Sequence, residues 1–316
     1  KAYAQYLLGV EQANLRTLDG LRRSVDHLNR SIAIDSAFAP AWATLATAHG
    51  LGLIYYTTTP DSARAVIARA TERALALDDR LGDPLVARGM MHFVVEWDFG
   101  AAERDFAQGM ARNPTTLAQS LHGWYLWETG QFAKAIALHE RLIDLEPATA
   151  QWYSDLGWDH WASGDTARAF AAARRAIALD SLFFEAHHEL AWMSVETGDF
   201  VTARREIDIA RRLAGGDYWL RQVVEGQLLA RAGDEAGARR VLQAMDRDPR
   251  LAQRALLLAT LGERDSMYVM LEQAIDARDP DVLWMMNAER VLRGLRQEPR
   301  YQQLLARMGL PEALRR

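Results

Sequence analysis

The sequence repeats one pattern three times, as GWYLWETGQFAKA at 123–135, GWDHWASGDTARA at 157–169 and AWMSVETGDFVTA at 191–203. The copies start 34 residues apart (157 − 123 and 191 − 157), and small residues recur at the same three places in each copy. A fixed interval of this length with small residues at set offsets is typical of helix-turn-helix solenoids. The stretch therefore predicts repeated helix pairs, with a turn at the glycine near the middle of each copy.

Less regular copies of the pattern continue on both sides of this stretch. We predict a single all-α solenoid over 1–316, a right-handed superhelix of about eight helix pairs. Its parts are irregular repeats at 1–113, three regular 34-residue repeats at 114–215, degenerate repeats at 216–280 and a C-terminal capping segment at 281–316. A terminal segment departs from the repeat because it must cover one apolar face without a following neighbour.

Composition excludes several classes of partner and cofactor. The formal net charge is −5, so the chain has no overall positive field for nucleic acid or anionic lipid, and we expect no direct nucleic-acid partner. The absence of cysteine excludes disulfides and thiolate metal ligands. No apolar run approaches the ~20 residues that span a bilayer, so we expect no membrane insertion by this segment. The compartment stays open, with the cytoplasm favoured and the periplasm an alternative if the parent protein carries a transmembrane segment.

One cluster has the spacing of a carboxylate–histidine metal site. Glu185 and His188 lie three residues apart, and Glu189 follows directly. A di-metal site in a helix bundle needs a second such motif facing the first, and the sequence contains none. We therefore predict a solvated helix face here, with no metal and no other cofactor.

The remaining titratable residues give no pattern of catalysis. His92, His122 and His160 fall on predicted first helices, where a histidine is more often a packing residue than a base. No nucleophile elbow, phosphate loop or paired zinc motif accompanies them. Asp155 and Asp159 lie one helical turn apart and could share a proton if buried, whereas an exposed pair does nothing special. We predict that the chain is not an enzyme.

Five Arg-Arg pairs fall on predicted second helices, the outer wall of a solenoid. Acids lie near each pair, which favours a solvated face over a patch for an anionic partner. The pairs are Arg22-Arg23, Arg174-Arg175, Arg204-Arg205, Arg211-Arg212 and Arg239-Arg240.

The tryptophans suggest a binding surface. Trp124, Trp158 and Trp192 share the 34-residue interval, and Trp127 and Trp161 stand three places after the first two. First helices line the concave side of such a solenoid, so equal offsets form a ladder along the groove. Indoles dominate many binding hot spots, although aromatic residues at helical spacing also pack as core. On the groove interpretation, the predicted site consists of Trp124, Trp127, Trp158, Trp161 and Trp192, with Glu128, Glu196 and Arg231 on the rim.

Four segments carry a resemblance to known proteins. They are Ala74-Leu75-Ala76-Leu77-Asp78, Glu96-Trp97-Asp98, Ala176-Ile177-Ala178-Leu179-Asp180 and Leu295-Arg296-Gln297-Glu298-Pro299-Arg300-Tyr301. Over essentially its full length the chain resembles a tetratricopeptide-repeat (TPR) protein. More narrowly, it resembles the TPR regions that lie C-terminal to winged-helix, adenylate cyclase or protein kinase domains in bacterial signalling proteins. The resemblance implies a non-enzymatic module and an N-terminal effector domain in the parent protein.

Two function hypotheses follow from these observations. The first is a scaffold that binds a peptide or protein segment in its concave groove. The second is a small-molecule sensor, in which a ligand in the groove alters the solenoid and so regulates an attached effector domain.

Overall fold

The computed structural model describes residues 1–112, 114–214, 222–247 and 250–310. Within these ranges the chain forms nineteen α-helices, and none of the residues belongs to a β-strand. Sixteen of the helices follow one another as eight pairs, and three further helices come after them. The prediction of an all-α helix-pair architecture is confirmed.

The chain forms two compact units, Lys1–Tyr125 together with residues 309–310, and Leu126–Met308. Helices of the first unit are α1 Ala2–Asn14, α2 Leu18–Ile34, α3 Ala39–Ile54, α4 Pro60–Leu77, α5 Asp83–Met91 and α6 Phe99–Met110, and α7 Thr116–Glu128 contributes residues to both units. Helices of the second are α8 Phe132–Leu145, α9 Ala150–Ser163, α10 Thr166–Leu179, α11 Phe184–Thr197, α12 Phe200–Ala214, α13 Gln222–Arg231, α14 Glu235–Ala244, α15 Leu251–Thr260, α16 Arg264–Asp276, α17 Val282–Ala288, α18 Arg290–Arg293 and α19 Pro299–Arg307. One continuous solenoid with the internal boundaries given above stays a prediction.

In the first unit, one helix pair departs from regular geometry. Helix α5 continues into a π-helical turn, His92–Glu96, which ends at Trp97 in the left-handed conformation (φ 56°). The Asp98 side chain then caps α6 by accepting a hydrogen bond from the Ala101 N–H at 2.8 Å. The pair is tied by Arg88, whose guanidinium donates to both oxygens of Asp105 at 2.7 Å.

In the second unit, each regular repeat turns as its local sequence predicts. Gly164 ends α9 with φ +94°, and Gly198 ends α11 with φ +83°, a conformation that costs glycine little. Asp165 then accepts a hydrogen bond from the Arg168 N–H at 3.1 Å and caps the following helix. The helix-turn-helix unit is therefore encoded locally.

Small residues at the repeated offsets allow the helices to approach closely. Ala135, Ala169 and Ala203 are all 0% exposed at the contact between first and second helices. A Cβ atom at Gly157 would lie 2.0 Å from the Glu189 Oε1 atom, so a neighbouring repeat's carboxyl group fills the space that glycine leaves. Close packing between helices thus requires small residues at these offsets.

The Arg-Arg pairs lie on second helices and face solvent. All ten arginines are exposed, as both alternatives require, and the choice of a solvated face over a patch for an anionic partner stays a prediction. Among the described residues, no helix combines the length and apolar character that crossing a membrane requires.

Candidate functional site

First helices of the second unit bring four indoles of the chain together. The ring centroids of Trp127 and Trp158 lie 6.3 Å apart, and those of Trp158 and Trp192 lie 6.0 Å apart. The Trp127 indole N–H also donates to the Trp158 carbonyl oxygen at 3.2 Å. Trp161 lies on the same helix as Trp158 and packs with Ala169 and Met193. We call Trp127, Trp158, Trp161 and Trp192 the ladder surface.

The chain's own C-terminal residues cover much of the ladder surface. Trp284 of α17 lies with its ring centroid 5.9 Å from that of Trp127 and 5.7 Å from that of Trp192. Its indole N–H donates to Asp281 at 3.2 Å, and Asp281 also accepts a hydrogen bond from Gln253 of α15 at 2.6 Å. Residues 281–293, here called the return segment, therefore do more than cover the last helix pair.

An arginine of the return segment contacts Trp161 of the ladder surface. The Arg290 guanidinium carbon lies 3.8 Å from the centroid of the Trp161 ring, which is the geometry of a cation–π contact. The same guanidinium donates to the Thr166 hydroxyl at 3.4 Å. Arg293 donates to the Ala162 carbonyl oxygen at 3.2 Å. The return segment thus holds the ladder surface through aromatic and cationic contacts together.

The tryptophans predicted for the groove differ in exposure. Trp127, Trp161 and Trp192 are 7%, 2% and 2% exposed, whereas Trp158 is partly exposed. Trp124 belongs to the first unit and is also partly exposed. Contact between these indoles and a partner stays a prediction, with Trp158 the accessible member of the ladder surface.

The predicted rim residues also separate into buried and accessible positions. Glu128 was expected on the rim but is only 1% exposed, since it lies beneath the return segment beside Asp281. Burial, and then the charge of Asp281, raises the pKa of Glu128 well above its ordinary value. Glu196 and the exposed Arg231 form an ion pair at 2.5 Å. Burial raises the pKa of Glu196, and the Arg231 charge opposes that shift.

A second acid of the return segment, Glu289, is buried next to this ion pair. It is 3% exposed, and burial is the main reason that its pKa rises to about 8. The charge of Glu196 raises the pKa further, while Trp192, Arg231 and Arg290 lower it. The carboxyl group therefore binds a proton in the folded chain at pH values where the unfolded chain releases it.

Replacing Glu289 by glutamine is expected to flatten the pH dependence of stability. The pKa of Glu289 in the folded chain exceeds its ordinary value of 4.5. Below pH 4.5 the group is protonated in both states and does not change the free energy of unfolding. As the pH rises from there toward about 8, the unfolded chain releases the proton first, so the free energy of unfolding falls. The fall amounts to at most ~1.4 kcal/mol per pH unit. Urea unfolding at several pH values measures the difference between Glu289→Gln and the unsubstituted protein. The exposed Glu140→Gln variant serves as control, and a Glu289→Gln profile parallel to the unsubstituted one would contradict this account.

The cluster at Glu185, His188 and Glu189 is buried, so the predicted solvated helix face is wrong. The three residues are 8%, 5% and 0% exposed, because α11 is enclosed by neighbouring helices. Ser154 donates to Glu189 at 2.8 Å. Burial raises the pKa of Glu189 well above its ordinary value, and the charge of Asp155 adds to the rise. No group of potential metal ligands forms a metal site within the described residues.

Asp155 and Asp159 are buried and share one histidine that the sequence did not single out. His139 Nδ1 lies 2.6 Å from an Asp159 oxygen, and its Nε2 lies 3.8 Å from an Asp155 oxygen. Burial raises the pKa of Asp159, while the charge and hydrogen bond of His139 lower it. The buried contact between His139 and Asp159 therefore links helix α8 to helix α9.

The histidines predicted as packing residues occupy such positions. His92 pairs with Glu96 at 2.6 Å, and the His122 ring stacks on Phe106 with centroids 5.1 Å apart. His160 is 4% exposed. His122 and His160 therefore pack as predicted, whereas His92 is partly exposed and pairs with a carboxylate.

Sequence reasoning missed the members of the return segment that complete this site. Trp284, Glu289 and Arg290 were predicted only as parts of a cap. Arg290 and its partner Thr166 are 124 residues apart, and no local pattern predicts a contact at that separation.

Comparisons with known proteins establish the fold. No protein-family model matches the sequence, and no curated protein matches it. The chain is similar in structure to the APC/C hetero-tetramer Cut9–Hcn1, with a TM-score of 0.63 and 14% identity over 91% of this chain and 52% of that one. It is also similar to the human IFIT1 dimer with PPP-AAAA, with a TM-score of 0.58 and 13% identity over 82% of this chain and 69% of that one. The chain has the TPR-type α-solenoid fold. It spans about half the length of the Cut9–Hcn1 chain that it matches.

Proposed function

We propose that this chain is a non-enzymatic protein-interaction module that binds a peptide or protein segment along its first helices. The observation that supports the proposal most strongly is that the ladder surface already holds a helical segment, the chain's own residues 281–293. Its contacts are those of a binding surface, with an indole against indoles and an arginine over an indole face.

The accessible part of the surface defines the partner contact. Trp158 and Arg231 are both accessible to solvent, and Glu196 lies beside Arg231. An indole offers a large, rigid contact area at low conformational cost, and a rim ion pair adds orientation. A partner segment that combines apolar and basic residues suits Trp158 and Glu196, whereas the exposed Arg231 repels a basic residue placed directly beside it.

Site-specific photocrosslinking tests where a partner binds. A photoreactive phenylalanine analogue placed at Arg231 or Trp158 is expected to capture one discrete protein in the native host, and mass spectrometry identifies it. The matched control carries the same analogue at Arg174, which is exposed on the second helix α10. Capture of that protein from the Arg174 position alone would contradict the proposed surface.

A thermal-shift screen of the purified protein distinguishes this proposal from the small-molecule sensor. A ligand that binds only the folded state raises its stability by mass action. A thermal-shift screen against metabolites and nucleotides in which one compound strongly raises the melting temperature would favour the sensor and count against the scaffold.

We also propose that the module belongs to a larger bacterial signalling protein with an N-terminal effector domain. The support for this is the resemblance carried by segments such as Glu96-Trp97-Asp98. The coding sequence upstream of Lys1 tests it directly, and an upstream region that encodes no such domain would remove the idea.

A further inference from the structure

The ladder surface around Trp161 carries the groups that an arginine-binding site needs. It offers the flat face of Trp161 and the hydroxyl group of Thr166, both in contact with Arg290, and the Glu196 carboxylate, which pairs with Arg231 and lies close enough for the Arg290 charge to act on it. An indole face stacks on a planar guanidinium better than on a compact ammonium group, and the hydroxyl accepts one of its N–H groups. These three groups belong to the second unit and lie outside the return segment.

We propose that Trp161, Thr166 and Glu196 form an arginine-binding site, that the chain's own Arg290 occupies it, and that an arginine of a partner protein competes for it. The proposal rests on the proposed function and adds the chemistry of the partner, an arginine-bearing segment. Arg290 shows what the site accepts, because its guanidinium lies 3.8 Å from the Trp161 ring centroid.

Release of Arg290 does not require the rest of the return segment to leave. Helix α17 is fixed by buried apolar side chains, including Met285 and Met286 at 0% exposure. Arg290 follows the extended backbone of Glu289 (φ −67°, ψ 123°), starts the four-residue helix α18 and is partly exposed. A side-chain rotation moves its guanidinium into solvent while α17 stays in place.

The charges around the site favour a cation from outside. Arg290 sits close enough to Glu196 and Glu289 to lower the pKa of both carboxyl groups. Arg231 also faces both acids, and the Trp192 side chain contacts Glu289. If Arg290 leaves without replacement, the buried Glu196 carboxylate loses one of its two positive neighbours, so an incoming guanidinium restores what Arg290 supplied.

Chemical rescue of Arg290→Ala tests the site in the full chain. The variant is expected to melt at a lower temperature than the unsubstituted protein, and methylguanidinium is expected to restore most of that loss by binding the vacated site. Methylammonium, which carries the same charge without the planar group, is expected to restore little. Arg293→Ala is the matched control, because it removes the same side chain from α18 at a position whose guanidinium donates to the Ala162 carbonyl oxygen. Equal effects of the two cations, or equal rescue of Arg293→Ala, would overturn the proposal.

A peptide titration then tests competition. The probe is a synthetic peptide of the chain's own residues 288–294, AERVLRG, compared with its lysine counterpart AEKVLKG. Calorimetry is expected to give an affinity for the arginine peptide at least ~10-fold higher with Arg290→Ala than with the unsubstituted protein, since the site is then vacant. Equal affinities, or no preference for arginine, would refute competition at this site. If photocrosslinking still captures a partner at Arg231, the proposed function stands and only the arginine site falls.

Discussion

Replacing Trp192 by alanine is expected to lower the free energy of unfolding by about 3–5 kcal/mol. The side chain is 2% exposed, and its ring contacts those of Trp158, Trp284 and His188 at centroid distances of 6.0, 5.7 and 5.7 Å. Alanine leaves a cavity between α9, α11 and the return segment, and both the apolar burial and the ring contacts are lost. Urea unfolding followed by circular dichroism measures the change.

Two further variants show whether that loss comes from packing. Trp192→Phe keeps an aromatic ring in the same space, so we expect less than half the loss seen with alanine. Leu182→Ala alters a side chain that is 72% exposed and is expected to change stability by less than ~0.5 kcal/mol. A Trp192→Ala protein as stable as Leu182→Ala would show that the indole is dispensable to the fold.

Loss of the His139 imidazole is expected to cost a comparable amount, about 3–5 kcal/mol. His139 and Asp159 are each 1% exposed, and Asp155 is 5% exposed, so His139→Ala leaves two buried carboxyl groups beside a void. Because His139 lowers the pKa of Asp159 in the folded chain, its removal lets that pKa rise further. When the pKa of Asp159 is raised in the folded chain, the free energy of unfolding falls as the pH rises. The stability difference between His139→Ala and the unsubstituted protein is therefore expected to be smallest in acid.

His27→Ala provides the matched control for this variant. His27 is partly exposed and hydrogen-bonds to the neutral amide of Gln5 at 2.8 Å, so its loss is expected to cost about 1 kcal/mol. Urea unfolding of both variants at acid and neutral pH makes the comparison. Equal losses for the two histidines, or a His139→Ala deficit that does not change with pH, would contradict the account of the buried pair.

The regular repeats could be predicted from the sequence because their signals are local. Gly164 and Gly198 adopt the left-handed conformation that the turn requires, and Asp165 caps the next helix only three residues along the chain. Ala169 is fully buried as its offset predicts. Each of these features involves neighbouring residues, so spacing alone carries the information.

The exposure of polar residues could not be predicted in the same way. Helix α11 carries Glu185, His188 and Glu189 among its apolar residues, and an isolated helix of this composition would place them in solvent. Burial on all sides by neighbouring repeats makes them interior groups, with Ser154 of α9 as a hydrogen-bond partner for Glu189. Because such a partner lies on another repeat, the sequence of the helix itself does not predict it.

The helix pairs, their interval of 34 residues and the turns between them follow from the sequence alone, because backbone conformation and close packing depend on residues a few positions apart. What covers the ladder surface is visible only in the folded chain. The contacts of Arg290 with Thr166 and of Arg293 with Ala162 join residues 124 and 131 positions apart. Contacts of that range depend on how the whole second unit folds back along its first helices, and no periodicity in the chain encodes them.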